Sequence, residues 1–207
     1  MELIGERWTL LIVRELMLGP RRFSDIRAEL PGLSAKVLTE RLTRMEEIGV
    51  LVRRKLPPPA FTQVFELTDW GRGLEVVMQV LGRWAVRSPL HDPTLPLTPT
   101  SFLLSLRTMV DHTRAGDLQL RVLFHTPEDA LLAELADGEL RVDRNPESAQ
   151  GADIEYSAAS VTNFLGVLYG KRPAAECGVT VTGDALLAAR FADLFTLPDK
   201  CPLASVG

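Results

Sequence analysis

The chain has 207 residues, 46% of them hydrophobic and 24% charged, which is typical of a soluble globular protein with one large or two ordinary domains. Its net charge of −4 argues against a uniformly basic nucleic-acid coat or a polybasic membrane binder. The two cysteines, Cys177 and Cys201, are too few for a disulfide scaffold, although they could form one disulfide. We expect a cytoplasmic protein with no membrane partner, since the apolar run at 8–13 is far shorter than the ~18 residues of a span.

The charge is distributed unevenly along the chain. Residues 1–86 carry 13 Lys or Arg against 11 Asp or Glu, whereas residues 87–207 carry 10 against 16. The change coincides with a segment that is rich in proline, and proline favours extended backbone and cannot continue a helix. We therefore predict a first domain at 1–86, a proline-rich linker at 87–100 and a second domain at 101–200.

The first domain has the sequence pattern of three short helices. Apolar spacing at 8–16 predicts the first helix, and Ser24 is a suitable cap for a second helix that extends to Leu30. Ser34 is a suitable cap for the third helix, which Gly49 ends. The side chains of Leu38, Leu42 and Met45 of the third helix are expected to face the core.

The pattern then becomes extended. Residues 50–56 and 63–67 are rich in strand-forming side chains, and the tip Pro57-Pro58-Pro59-Ala60 between them is expected to project into solvent. Thr68 and Asp69 can cap a long helix with an apolar stripe that needs a partner. The stripe consists of Leu74, Val77, Met78, Leu81 and Trp84.

The order of helix, helix, turn, helix, wing and helix is that of a winged helix-turn-helix domain, whose third helix enters the DNA major groove. Residues 21–55 also hold nine basic side chains against five acidic ones. Strand alternation sends Arg54 to the opposite face from its neighbours, so we expect only part of Arg53-Arg54-Lys55 to face phosphates. The predicted DNA contacts are Arg21, Arg22, Ser34, Lys36, Val37, Thr39, Glu40, Thr43, Arg44, Arg53, Arg54 and Lys55.

Three motifs in this domain resemble the HxlR-type winged-helix regulators, relatives of the MarR group. They are the opening GERWTLLIVREL, the recognition helix S-x-K-x-L-T-x-R-L and ELTDWG after the wing. The resemblance implies a homodimer on an inverted-repeat operator, with the first and last helices of the domain at the interface. The implied interface residues are Trp8, Leu11, Leu81 and Trp84, although packing inside the domain would produce the same stripes. Members often begin with a sensing cysteine, but this domain contains none.

The second half alternates differently. Period-two character predicts strands at 117–124, 139–143, 153–156 and 178–182. Between them we predict helices at 101–114, from Thr126-Pro127, around 161–169 and after the capping residue Asp184. Asp137-Gly138 is interpreted as a turn from a helix to a strand. The predicted fold is an α+β domain with a mostly antiparallel sheet covered by helices, behind a mainly α first domain.

The order of strand, helix ending at Gly170, strand, T-G-D and final helix resembles the sterol-carrier-protein-like fold over about 101–198. This resemblance implies a pocket for a small apolar ligand. The candidate lining residues are Phe102, Leu106, Phe124, Phe164, Leu168, Phe191 and Phe195, although residues of this kind are individually more often part of a core than contacts of a ligand.

Catalytic and cofactor motifs are missing from the sequence. The three histidines share no metal-ligand spacing, and phosphate-binding and nucleophile-elbow patterns are lacking, so we predict no enzyme, no metal and no cofactor. The leading hypothesis is a homodimeric DNA-binding regulator, most often a repressor in such architectures, whose DNA affinity is modulated by a small apolar ligand or by the dimer geometry that the second domain sets. The alternative is a carrier of hydrophobic molecules whose winged helix mediates protein association.

Overall fold

The computed structural model describes residues 2–58, 61–146, 148 and 150–202. Backbone contacts divide the chain into two compact units, Met1–Val80 and Leu81–Gly207. The segment 87–100 therefore belongs to the second unit. Within the described ranges, none of the helices combines the length and the apolar character that crossing a bilayer requires.

Three helices open the first unit: α1 (Thr9–Leu16), α2 (Phe23–Glu29) and α3 (Ala35–Glu47). One side of each helix faces a shared core, as the apolar spacing predicts. The core side chains of these helices are Ile12, Val13, Leu16, Ile26, Leu38, Leu42 and Met45.

The start of α2 differs from the prediction. Ser24 lies inside the helix, and the cap residue is Arg22, whose backbone N–H donates to the carboxylate of Asp25 at 3.3 Å. An acidic side chain in the first turn satisfies a free N–H and interacts favourably with the helix dipole. The prediction for α3 is confirmed, because the Ser34 hydroxyl accepts a hydrogen bond from Val37 N at 3.3 Å.

The predicted wing is a two-stranded hairpin. Strand β1 (Leu51–Lys55) pairs antiparallel with β2 (Gln63–Leu67), with Leu51 opposite Leu67. Of the predicted tip, Pro59 and Ala60 lie outside the described residues.

The helix predicted after Thr68 is two helices, α4 (Asp69–Arg72) and α5 (Leu74–Ala85), which Gly73 separates. The Thr68 hydroxyl caps α4 by accepting from Gly71 N at 3.0 Å. A Cβ on Gly71 would lie 2.0 Å from the Val50 carbonyl oxygen, so α4 approaches the start of the wing more closely than a side chain would allow.

The second unit is built on a five-stranded sheet in the order β5-β4-β3-β6-β7. Its strands are β3 (Leu120–His125), β4 (Ala130–Ala136), β5 (Glu139–Arg144), β6 (Ile154–Ala158) and β7 (Val179–Gly183). Neighbouring strands are antiparallel except β3 and β6, which run parallel with Phe124 opposite Tyr156. Three of the four pairings are antiparallel, so the predicted mostly antiparallel sheet is confirmed, and the one parallel pair makes the sheet mixed.

The helix predicted from Thr126-Pro127 is wrong: residues Ala130–Ala136 form strand β4. Thr126 and Asp129 close a tight turn instead, with Thr126 N donating to the Asp129 carbonyl at 2.9 Å. Alanine, leucine and glutamate favour a helix, but pairing with β3 and β5 outweighs that local preference. Asp137 and Gly138, with φ of 52° and 76°, consequently join two strands as the turn of a β-hairpin.

The remaining elements are α6 (Pro99–Met109), α7 (His112–Ala115), α8 (Val161–Leu168), a 3-10 turn (Ala174–Cys177) and α9 (Ala185–Ala192). The helix predicted over 101–114 is thus two helices, because Val110 leaves the helix to form an isolated antiparallel bridge with Phe195. Asp111 then caps α7 by accepting from Thr113 N at 2.9 Å.

Aromatic rings join three of these helices to the sheet. Phe102 of α6, Phe164 of α8 and Phe191 of α9 lie with ring centroids 5.0, 5.1 and 6.2 Å from that of Phe124 on β3. Tyr156 of β6 stacks on Phe124 at 5.1 Å. Each such ring pair contributes about 0.5–1.5 kcal/mol beyond the burial of its surface. The helices α6, α8 and α9 therefore cover the sheet face that carries Phe124.

A buried ion pair next to the unexpected strand β4 allows a test of this part of the fold. Arg144 Nε donates to Asp129 Oδ1 at 2.8 Å, and the two side chains are only 13% and 6% exposed. We expect Asp129→Ala to lower the free energy of unfolding by about 3 kcal/mol, because it removes the carboxylate from a buried guanidinium. Urea denaturation measures the loss, and Asp143→Ala, at an exposed position on β5, is the matched control. A loss below about 1 kcal/mol would contradict the predicted role of the pair.

Candidate nucleic-acid interface

Helix α3 turns a polar face to solvent. Its apolar side buries Leu38, Leu42 and Met45, so the opposite side chains remain accessible. The exposed residues of the helix are Lys36, Thr39, Glu40, Thr43, Arg44 and Glu47, and Val37 is half-buried beside them. Six of the predicted DNA contacts, from Lys36 to Arg44, therefore lie on one helix, and five of them are exposed.

The first turn of α3 adds backbone donors to this face. The Ser34 hydroxyl accepts from Val37 N, and the Ser34 carbonyl accepts from Leu38 N at 2.9 Å. These bonds leave the N–H groups of Ala35 and Lys36, the first two of the helix, without a partner inside it. Such donors, together with the helix dipole, suit a phosphate oxygen.

The arginines of the wing are paired with carboxylates. Arg53 lies 3.1 Å from Glu46 of α3 and over the Phe65 ring, 5.3 Å from its centroid. Arg54 forms an ion pair with Glu66 on the neighbouring strand. The two arginines thus point to opposite faces of the hairpin, in agreement with the alternation in the sequence.

The other predicted basic contacts differ in accessibility. Arg21 is half-buried, and its backbone forms an isolated bridge with Phe65, with N···O distances of 2.9 and 2.8 Å. Arg22, Lys36 and Lys55 are exposed and form no ion pair within the described part of the chain. These three side chains are therefore available to an anion without the loss of an existing partner.

The predicted interface residues lie in two environments. Trp8 is half-buried within the first unit, where its ring edge lies against Gly32, since a Cβ there would be 3.0 Å from Trp8 Cη2. Leu11 is 37% exposed. Helix α5, by contrast, buries none of its residues, and Leu81 and Trp84 are 44% and 71% exposed.

Further exposed side chains extend the stripe on α5. Val76, Val77 and Val80 are all at least half exposed. Residues 76, 80 and 84 follow a four-residue spacing, so they lie on one face of the helix with Leu81 beside them. The sequence prediction included Val77 in the stripe but not Val76 or Val80, although this spacing was available as a signal.

The seven predicted ligand contacts are core residues. Phe102, Leu106, Phe124, Phe164, Leu168, Phe191 and Phe195 are all fully buried, and they pack on one another. The second unit does contain a cavity, but none of these seven lines it. Among the described residues, no three His, Cys, Asp or Glu side chains are grouped so that they could hold a metal ion.

Comparisons with known proteins match the first unit and the first residues of the second unit. A family model described as HxlR-like helix-turn-helix matches residues 3–91. The uncharacterized HTH-type transcriptional regulator YvaP of Bacillus subtilis (strain 168) is 39% identical over 84 residues, which are 41% of this chain and 78% of that protein. The HTH-type transcriptional regulator YodB of the same organism is 39% identical over 83 residues, 40% of this chain and 74% of that protein. A solved structure of the reduced form of YodB is 36% identical over 44% of this chain and 90% of that chain, with a TM-score of 0.40.

Two serines in the first unit provide a matched test of the cap that begins α3. We expect Ser34→Ala to lower the free energy of unfolding by about 1 kcal/mol, because Val37 N loses its acceptor. Ser24→Ala should change stability little, since Ser24 is an exposed residue inside α2. Thermal denaturation followed by circular dichroism measures both variants, and equal effects would contradict the assignment of the cap.

Proposed function

The chain belongs to the HxlR-like helix-turn-helix family, and we propose that it is a sequence-specific repressor that binds an inverted-repeat operator as a homodimer. The relatives that it matches are transcriptional regulators and not enzymes, which confirms the expectation of a non-enzymatic protein. The single observation that carries the proposal is the exposed face of α3, with its capped and donor-rich first turn.

Each side chain on that face has a distinct role in the proposal. Lys36 and Arg44 contact phosphate or guanine, and Glu40 accepts from the exocyclic amine of cytosine. Thr43 and Val37 contact base edges and the thymine methyl group. Arg44 lies 3.3 Å from Glu47, but half of each side chain is exposed, so solvent weakens the pair and DNA can replace the carboxylate.

The Thr39 hydroxyl has a restricted role. It donates to the Ala35 carbonyl at 2.9 Å, which uses its one hydrogen. Its lone pairs then face solvent as acceptors, so Thr39 reads a base-edge donor such as the adenine or cytosine amine better than a phosphate oxygen. The Ser34 hydroxyl, which accepts from Val37 N, keeps its hydrogen for a phosphate.

The wing arginines contact phosphates in the proposed complex after they release the carboxylates of Glu46 and Glu66. Arg53 and Glu46 are 40% and 39% exposed, and Arg54 is 59% exposed. Exposed ion pairs contribute only about 0–1 kcal/mol, so exchange of the carboxylate for a phosphate costs little. Lys55 and Arg22 need no exchange, and together with Arg21 they complete the proposed backbone contacts.

Helix α5 supports the homodimer. A twelve-residue helix with exposed valines, a leucine and a tryptophan on one face leaves a large apolar surface in water. Isolated exposed apolar residues are common, but a continuous stripe of this size marks an interaction surface. A second copy of the same helix covers this stripe symmetrically, with Leu81 beside the central Val80 and Trp84. Leu11 of α1 is a further residue of the proposed interface.

The second unit supplies the proposed regulation. Its resemblance to the sterol-carrier-protein-like fold and its cavity support the binding of a small apolar molecule. Such a ligand changes DNA affinity only if the dimer has two geometries that differ in their affinity for DNA, and the ligand binds one of them more tightly than the other.

The DNA-binding proposal is tested by charge reversal on α3. We expect Lys36→Glu with Arg44→Glu to weaken binding to the protein's own promoter region at least about 100-fold, since each base or phosphate contact contributes about 1–3 kcal/mol. The salt dependence of log K should also become shallower by about 0.9 for each phosphate contact that is lost. Fluorescence anisotropy with promoter DNA and with random DNA of equal length measures both effects.

A matched control changes the net charge equally, but at residues of the second unit. Arg141→Glu with Arg190→Glu reverses two exposed cations of the second unit and should leave DNA binding within about twofold. If the wild-type protein shows no salt-dependent preference for its promoter over random DNA, the repressor proposal fails and the carrier alternative is favoured.

The dimer proposal is tested on the α5 stripe. We expect Val80→Asp to convert a dimer to a monomer in sedimentation velocity at micromolar concentration, because a carboxylate would be buried between two apolar faces. Leu186→Asp on α9 changes a residue of similar exposure, 72% against 64% for Val80, and should leave the dimer intact. A monomeric wild type, or a Val80→Asp variant that remains dimeric, would refute this interface.

A further inference from the structure

A cavity of about 760 Å³ lies in the second unit, between helices α6 and α8 and the proline-rich strap, which we define as residues 86–98. This volume falls within the roughly 300–1,000 Å³ of small-molecule sites. The segment predicted to be a linker therefore forms one wall of the cavity, through Val86 and residues 91–93 and 95–97.

The walls of the cavity are mainly apolar. Leu95 and Leu97 of the strap line the cavity together with Met109 of α6 and Leu165 of α8. Gly166 allows the Cys177 thiol to approach α8, since a Cβ at that position would lie 2.5 Å from the sulfur. The lining has three charged residues. Arg172 and Glu176 are largely exposed and lie 3.8 Å apart, so their charges offset one another, and Asp92 of the strap is exposed to solvent. The lining as a whole suits an uncharged apolar body.

One hydrogen-bonded pair in the lining has a defined polarity. The Ser105 hydroxyl donates its only hydrogen to the Phe102 carbonyl at 2.7 Å, because a carbonyl can only accept. In the 2.9 Å bond between Ser105 Oγ and Tyr169 Oη, the tyrosine must therefore be the donor. Burial raises the pKa of the Tyr169 phenol, which keeps that proton in place. The Tyr169 oxygen thus offers a ligand only an acceptor.

We propose that the cavity beneath the strap binds an uncharged, mainly apolar molecule whose hydroxyl or N–H group donates a hydrogen bond to the Tyr169 oxygen. This inference rests on the proposed function, because it assigns the site and the ligand class to the regulator's second unit. It excludes anionic ligands such as fatty acids, which would present an acceptor to an acceptor, and it replaces the core phenylalanines as the ligand site.

Three probes that share a biphenyl body test the ligand class. They are 4-phenylphenol, which has a donor, 4-methoxybiphenyl, which has only an acceptor, and biphenyl-4-carboxylate, which is an anion. In isothermal titration calorimetry with the full chain, we expect 4-phenylphenol to bind roughly fivefold more tightly than the methoxy compound, as one net hydrogen bond allows. Equal affinities, tighter binding of the carboxylate, or no binding of any probe would overturn the proposal.

Variants locate the site and the acceptor. Tyr169→Phe keeps the ring that packs at 6.2 Å from Phe195, and it should bring the affinities of the phenol and the methoxy compound within twofold of one another. Leu165→Trp should fill the cavity and weaken both compounds at least tenfold, whereas Leu186→Trp, on the exposed side of α9, should not. Thermal denaturation confirms that each variant folds. Discrimination that persists in Tyr169→Phe would refute the role of the phenol.

The Cys177 thiol provides an independent readout, because it lines the cavity and is buried. In a Cys201→Ser background, saturating 4-phenylphenol should slow the reaction of Cys177 with N-ethylmaleimide, and an unchanged rate would place the ligand elsewhere. These measurements contain no DNA. Their failure would remove the ligand site and leave the repressor proposal standing, whereas failure of promoter binding would leave the ligand result unaffected.

Discussion

Val50 joins three elements of the first unit through its two backbone groups. Its N–H donates to the Met45 carbonyl at 2.9 Å, which continues the end of α3, and its carbonyl accepts from Thr68 N at 3.0 Å. Thr68 also caps α4 and donates its hydroxyl to Gly49 O at 2.8 Å. The recognition helix, the base of the wing and the start of α4 are therefore fixed to one another at a single residue, and this works only because Gly71 has no side chain to clash with the Val50 oxygen.

The fixed geometry of this junction matters because several of its elements contact DNA at once in the proposed complex. In the proposed complex, the face of α3 lies in the major groove while the wing and the first turn of α3 reach phosphates, so their relative positions determine whether all contacts form together. The wing arginines are additionally held by Glu46 and Glu66 in the absence of DNA. Such weak pairs orient the guanidinium groups, and DNA phosphates can replace the carboxylates. A chain with a net charge of −4 can therefore still offer basic side chains to DNA.

The sequence predicts local features better than the partners of each segment. The Ser34 cap, the wing strands and the Asp184 cap follow from short-range chemistry, and the structure contains them. Strand β4 was misassigned because the alanines and leucines of 130–136 favour a helix locally, and only pairing with β3 and β5 makes them a strand. The seven residues predicted to line a ligand pocket are packed in the core instead of lining the cavity, since a phenylalanine in the core and one in a pocket have the same local pattern.

The cavity depends on contacts that no local pattern contains. Its wall is the strap, and the strap is held to the C-terminal segment: Lys200 Nζ donates to Val86 O at 2.8 Å and Cys201 N donates to Arg87 O at 2.7 Å. Val86 is also the residue after α5, which ends at Ala85 with the exposed Trp84 one residue earlier. A molecule that fills the cavity therefore contacts the chain two residues from the proposed dimer stripe. Regulation through this route requires that the ligand binds one dimer geometry more tightly than another, and the strap, which continues directly from α5, is the segment that connects the cavity to the proposed interface.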